Sequence, residues 1–221
     1  MTIFRRALVL GALMCTLASN AAAEPARAGR VEFEVLRGGQ PFGRQGVTVT
    51  ESDGALVAQT SADLRAQLGP ITVFHYTQRC REVWRAGVLT DLRCTTLKNG
   101  HTQNVSGAAD GSGLRVTGAG GAFAMPAETW PTTWWTRPRI GSHVLINTET
   151  GQRLPVRVTQ MGRETIDVGN ERVAADHIRV AGTVTLDLWY DERGSWVSSA
   201  FTASGQHITY RLLSPRASGP A

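Results

Sequence analysis

The chain has 221 residues, with 23 basic against 18 acidic side chains and a formal charge of +5 at pH 7. The basic residues are scattered, with no run of five or six, which argues against a nucleic-acid partner. They are almost all arginine, Lys98 being the single lysine, so most of the cations stay charged and can pair bidentately with carboxylates.

The N-terminus reads as a secretory leader. Arg5 and Arg6 form its positive start, and residues 7–18 form an apolar run too short to cross a bilayer. Ala21, Ala22 and Ala23 supply the small side chains of a cleavage site, so cleavage is expected after Ala23. The alternative is an uncleaved anchor helix. Cys15 follows Met14 rather than the small residue a lipobox wants, and is expected to leave with the leader. Maturation would leave 198 residues (221 less 23) and, without Arg5 and Arg6, 21 basic against 18 acidic groups, a charge of +3. No later stretch is apolar and long enough to serve as a transmembrane segment. The expected organisation is a leader at 1–23, one β domain at 24–213 and a loose tail at 214–221, with the periplasm as destination.

The mature part alternates with period two. Val31, Phe33 and Val35 share a face, a Gly38-Gly39 turn follows, and Val47 and Val49 continue on a second strand. After Ser52-Asp53-Gly54 the run from Leu56 to Leu68 places Leu56, Ala58, Thr60, Ala62, Leu64, Ala66 and Leu68 opposite Val57, Gln59, Ser61, Asp63, Arg65 and Gln67, which predicts one long half-buried strand, or two joined by a kink. Residues 71–84 and 88–97 are rich in β-branched and aromatic side chains and predict a hairpin. Each arm carries one cysteine, and two cysteines in an exported chain are expected to pair. A three-residue turn at Ala86-Gly87-Val88 would set Cys80 opposite Cys94. A strict two-residue turn would put them on opposite faces unless a bulge corrected the register. With no C-x-x-C and no histidine cluster beside them, a redox or metal role is disfavoured.

Asn99-Gly100 marks the next turn, 102–106 a strand, 107–113 a small-residue loop, and Leu114 and Val116 a short strand. Gly118 to Gly121 is not read as a phosphate loop, because no helix signature follows. Residues 127–138 carry Trp130, Trp134 and Trp135 and predict a short helix around 128–135 or a loop. Strands are expected at 141–148, 154–161, 164–168, 171–180, 183–190, 196–203 and 207–213, with turns at 161–163, 169–170, 191–194 and 204–206. This succession predicts an all-β fold, a large curved antiparallel sheet closing toward a half-barrel, with the tryptophan-rich segment filling its concave side.

Residues Arg81-Glu82-Val83-Trp84-Arg85-Ala86-Gly87-Val88-Leu89, with Leu92, Thr96, Asn99-Gly100, Leu188-Trp189-Tyr190-Asp191, Gly194 and Ile208-Thr209-Tyr210-Arg211-Leu212, resemble a family of secreted bacterial proteins known as a domain of unknown function. The resemblance covers most of the mature chain. It implies architecture and supplies no catalytic residues. The strand order also looks like the curved half-barrels of Gram-negative envelope proteins that carry lipoproteins or lipids, a likeness of fold alone. The two cysteines stand outside the family pattern.

No catalytic motif is found, and neither a cofactor nor a metal site is expected. His75, His101, His143, His177 and His207 are dispersed. In the Asp176-His177 pair, neighbouring strand residues should face opposite ways and not cooperate. The tryptophans read either as a core plug or as a ligand platform. The favoured function is a non-enzymatic periplasmic protein binding a lipid-like or other apolar envelope molecule at Trp130, Trp134, Trp135 and Phe123. The alternative is a solid-cored module that meets another envelope protein.

Overall fold

The computed structural model describes residues 29–213 except Val184; the leader, its cleavage site and the tail lie outside the described residues. Among the described residues fifteen strands follow in chain order. β1 (Gly29–Arg37), β2 (Gln40–Ser52), β3 (Ala55–Leu68), β4 (Ile71–Arg85), β5 (Val88–Lys98), β6 (His101–Ala109), β7 (Leu114–Gly118) and β8 (Gly121–Met125) form a continuous meander. An insert follows, carrying β9 (Val144–Ile146) and β10 (Arg153–Pro155) as a separate two-stranded sheet. β11 (Arg157–Val168), β12 (Glu171–Ala181), β13 (Leu186–Asp191), β14 (Trp196–Ala203) and β15 (Gln206–Leu212) then meander back.

The order across the 13-stranded sheet is β11-β12-β13-β14-β15-β1-β2-β3-β4-β5-β6-β7-β8. The chain therefore starts in the middle of its own sheet, leaves at β8, and re-enters at the opposite edge. The last strand pairs antiparallel with the first, Phe33 opposite Leu212. The sheet is not closed into a barrel, and the insert occupies the way from one edge to the other. It is tied to the β8 side by Arg153 Nη2 donating to the Ala124 carbonyl at 2.7 Å, and to the start of β11 by Val158 N donating to the Ser142 carbonyl at 3.1 Å. At the turn between β9 and β10, Gly151 lies against Gly118 so closely that a Cβ on either would strike the other's segment below 3 Å.

Curvature follows from two consecutive insert residues. The Trp134 carbonyl accepts from Tyr190 on β13, while the Trp135 indole donates to Glu82 on β4. Six strand spacings separate β13 from β4, about 29 Å in a flat sheet. Adjacent residues can reach both only if the sheet curls around them. The inner face is largely apolar: Phe33, Val35, Ala58, Leu92, Val116, Ile178 and Leu188 are fully buried, with Glu82 and Thr96 as buried polar exceptions, and most charged side chains alternate outward.

The Cys80–Cys94 disulfide is formed, and the two residues are directly opposed. The turn is the two-residue one, Ala86 and Gly87, both at positive φ (47° and 76°), a geometry matched to strand twist. A register shift between Val83 and Trp84 then inserts one extra residue on β5 and restores the cysteines to one face. A cystine is compatible with a location outside the reducing cytoplasm.

Several expectations are corrected. No helix forms at 128–135: the segment consists of turns and a bridge between Pro131 and Ile146. Its backbone groups pair across to the insert, Ile146 N donating to the Trp130 carbonyl and Thr132 N to that of Ile146, and Trp134 at φ 64° lies outside the right-handed helical region. The turn expected at 161–163 is a bulge within the single strand β11, between Gln160 and Gly162. Gly162, at φ 132°, lets the strand continue where a turn was expected. The strand expected at 141–148 contracts to Val144–Ile146, and the Gly118 to Gly121 stretch forms the turn of the β7–β8 hairpin.

Candidate functional site

The concave face has two parts. The first is solid. Trp84 packs against Trp130 and Trp135 with ring centroids 5.0 and 5.9 Å apart. At its centre lies Glu82, fully buried. Its Oε2 accepts hydrogen bonds from the indole N–H of Trp84 (2.8 Å) and of Trp135 (2.9 Å). Among the described residues its Oε1 has no partner in hydrogen-bonding geometry. Burial pushes the Glu82 carboxyl above the usual carboxylate range, and the nearby Thr133 hydroxyl and the two indoles, which favour the anion, only partly offset this.

The second part is hollow. The cavity measures ≈ 520 Å³, within the roughly 300–1,000 Å³ of small-ligand sites. The sheet contributes Gln45, Leu64, Tyr76, Gln78, Val180, Leu186, Ser199, Phe201 and Tyr210, and the insert Thr132, Trp134, Asn147, Thr148, Glu149, Leu154 and Val156. Glu149 is the only charged side chain among the described lining residues, and it is paired with Lys98 at 2.9 Å. Tyr210 donates to Gln45 Oε1 at 3.2 Å and packs edge-on to Phe33. Burial raises the Tyr76 and Tyr210 phenols far above their ordinary value, so both are neutral hydrogen-bonding groups.

Trp134 forms part of the cavity wall in an uncommon backbone state. A non-glycine residue in the left-handed region costs roughly 1–2 kcal/mol. Its carbonyl is held by the Tyr190 hydroxyl at 2.9 Å. The Thr132 and Thr148 hydroxyls, 3.0 Å apart, fix the segment beside it to the start of the β9–β10 turn.

The histidine best placed for chemistry is on the outer face. His177 contacts Asp187 through Nε2 (2.8 Å) and Glu164 through Nδ1 (3.2 Å), and stacks on Trp189. Asp187 also receives the Arg179 guanidinium through two bonds of 2.8 and 3.1 Å. Burial works against ionisation of Asp187, but Arg179 and His177 outweigh it and hold the carboxyl below its usual range. Asp176 points the other way and pairs with Arg137 at 3.0 Å. The arrangement is a surface ion-pair network with both imidazole nitrogens occupied. Asp191 lies in the turn before β14, where its Oδ1 accepts from Arg193 N and Ser195 N.

Compared with known families, the chain matches the domain of unknown function DUF6134 over residues 33–213. It belongs to that family. The DUF6134 domain here is also similar in fold to a solved structure, the beta-barrel-like protein of domain of unknown function DUF1849 from Brucella abortus. The TM-score is 0.62 at 10% identity, over 87% of this chain and 97% of the other. No curated protein matches the sequence.

Within this DUF6134 domain the four predicted ligand contacts separate. Trp134 lines the cavity. Trp130 and Trp135 are buried in the solid part. Phe123, on β8, lies under the Arg153 guanidinium at 5.2 Å and is not among the described cavity-lining residues. Sequence reasoning did not single out Leu64, Tyr76, Phe201 or Tyr210. Period two placed Leu64 on the half-buried face, but only the fold brings these strands to one cavity. Glu82 carried a readable signal: Cys80, Glu82 and Trp84 share a face, so an inward disulfide and an inward indole imply an inward carboxyl.

Proposed function

We propose that this protein is a non-enzymatic envelope protein of the periplasm that holds a hydrophobic or lipid-like molecule in the cavity beside Trp134. The observation that carries the reading is the cavity itself, half open between the concave face and the insert. Its described lining combines apolar side chains with neutral hydroxyl, phenol and amide groups, and its one carboxylate is already paired. Such a lining favours an apolar body with a small polar end, since every polar group there can accept or donate without a charge being buried. The disulfide supports an oxidising compartment.

The test is native mass spectrometry and organic extraction of the full chain, exported and purified without detergent. A co-purifying apolar molecule is expected. Leu64→Trp, which adds a ring to the half-buried cavity wall, is expected to abolish it while leaving the fold intact by circular dichroism. An empty wild-type protein that also fails to take up added fatty acids or phospholipids would overturn the reading. The solid packing around Glu82 favours a second reading, an interaction module for another envelope protein. In that case the wild type would be empty and a periplasmic pull-down would return a stoichiometric partner.

A further inference from the structure

The β3–β4 hairpin outruns its neighbours. β2 stops pairing with β3 at Gly43 opposite Leu64, and β5 stops pairing with β4 at Lys98 opposite Tyr76. Beyond those rungs the hairpin continues through Arg65/His75, Ala66/Phe74, Gln67/Thr72 and Leu68/Ile71. At its end Leu68, Ile71 and Val73 are 73%, 64% and 56% exposed, three of the most exposed large apolar side chains among the described residues. Large apolar groups clustered on a protruding tip mark a contact surface.

Two further observations define the partner. Residues 66–74 contain no charged side chain. From the Arg65/His75 rung to the Leu68/Ile71 rung is three residues, about 10 Å of strand. Elements lying in a bilayer interface bury their apolar side to a similar depth of about 5–10 Å. The base of the hairpin carries basic side chains. Arg37 stacks over Phe42, which stacks on Phe74, and Arg65 and Lys98 lie at the same end, each paired with a carboxylate, Asp63 and Glu149. An uncharged tip of that depth above a base of small net positive charge, three cations against two carboxylates, is complementary to a lipid surface with anionic headgroups.

We infer that the β3–β4 hairpin inserts into the surface of a lipid bilayer. Directly opposed residues share a face, so Leu64/Tyr76 and Ala66/Phe74 make one row, which reaches Leu68/Ile71 across a bulge at Val73. The inner end of that row, Leu64 and Tyr76, lines the cavity. The row therefore leads from the bilayer to the cavity. This last step rests on the ligand reading; insertion does not, because the tip is exposed whether or not the cavity is filled.

The test is flotation of the full chain with vesicles of phosphatidylethanolamine containing a minority of phosphatidylglycerol, beside vesicles of phosphatidylcholine alone. The wild type is expected to float with the first. Leu68→Glu/Ile71→Glu, at two exposed positions that leave the core untouched, should reduce vesicle partition about tenfold or more. The thermal midpoint should be unchanged. Weaker binding to phosphatidylcholine is expected from the small net positive charge at the base. A wild type that stays in the buffer, or a double variant that floats equally well, overturns the inference. So does concentration-dependent dimerisation lost in the double variant without vesicle binding, which would assign the tip to a second copy. An empty cavity with intact flotation would refute the ligand reading alone.

Discussion

Glu82→Ala is expected to destabilise the domain by about 4 kcal/mol, while Glu82→Gln leaves it at least as stable as the wild type near neutral pH. Alanine removes the shared acceptor of two indole N–H groups, each of which costs about 1–3 kcal/mol when left unpaired in the interior. It also leaves a void between Trp84 and Trp135. Glutamine keeps a carbonyl oxygen for both indoles and carries no charge.

The sign of the pH dependence separates the two variants further. The folded-state pKa of Glu82 is raised by burial, so its contribution is fully present below the unfolded value of about 4.3 and is lost as pH rises toward the folded value. Between the two values the wild type should lose about 1.4 kcal/mol per pH unit from this group. Glu82→Gln removes that slope, so its advantage should widen as pH rises. Urea unfolding at a series of pH values measures both effects. Parallel wild-type and glutamine curves would show that Glu82 is ionised in the folded protein.

The second large effect concerns the cystine. Cys80→Ala/Cys94→Ala is expected to cost about 3 kcal/mol, from the loop of 14 residues that the bond closes in the unfolded chain. For a domain of this size that corresponds to a fall in Tm of about 6–12 °C. Calorimetry of the wild type with and without reductant should show the same fall, and an unchanged Tm under full reduction would contradict it. The bond crosses neighbouring strands already in register, so its removal should lower stability without displacing the β4–β5 pairing.

The strands were legible because period two is a local signal. Phe33 and Val35, the run from Leu56 to Leu64, and Leu186, Leu188 and Tyr190 all lie on the faces their alternation predicts. Turn chemistry was equally local at Asp53-Gly54 and Asn99-Gly100, where both residues adopt positive φ. Gly162 misled because a glycine inside a strand has the same composition signal as a turn; only the partner strand decides that it serves a bulge. The tryptophan segment misled for a related reason. Its polar backbone is satisfied by Ile146, and the Trp135 indole by Glu82, 53 residues earlier, pairings that no window of sequence contains. The cavity is less legible still, since its described lining comes from both meanders and the insert.

The pairing of β1 with β15 governs how the molecule can be assembled. Phe33 is among the first residues of the domain to be made, and Leu212 among the last. Local hairpins can form as the chain grows, but the two meanders remain separate sheets until residues 206–212 exist to join them. Until then β1 and β14 each present a free edge at what becomes the middle of the fold, the kind of edge that recruits foreign strands. Contacts of such long sequence separation also make the final joining slow. A shortened chain lacking β15 would be left as two half-sheets with sticky borders, and its failure would be aggregation rather than a smaller version of the same domain.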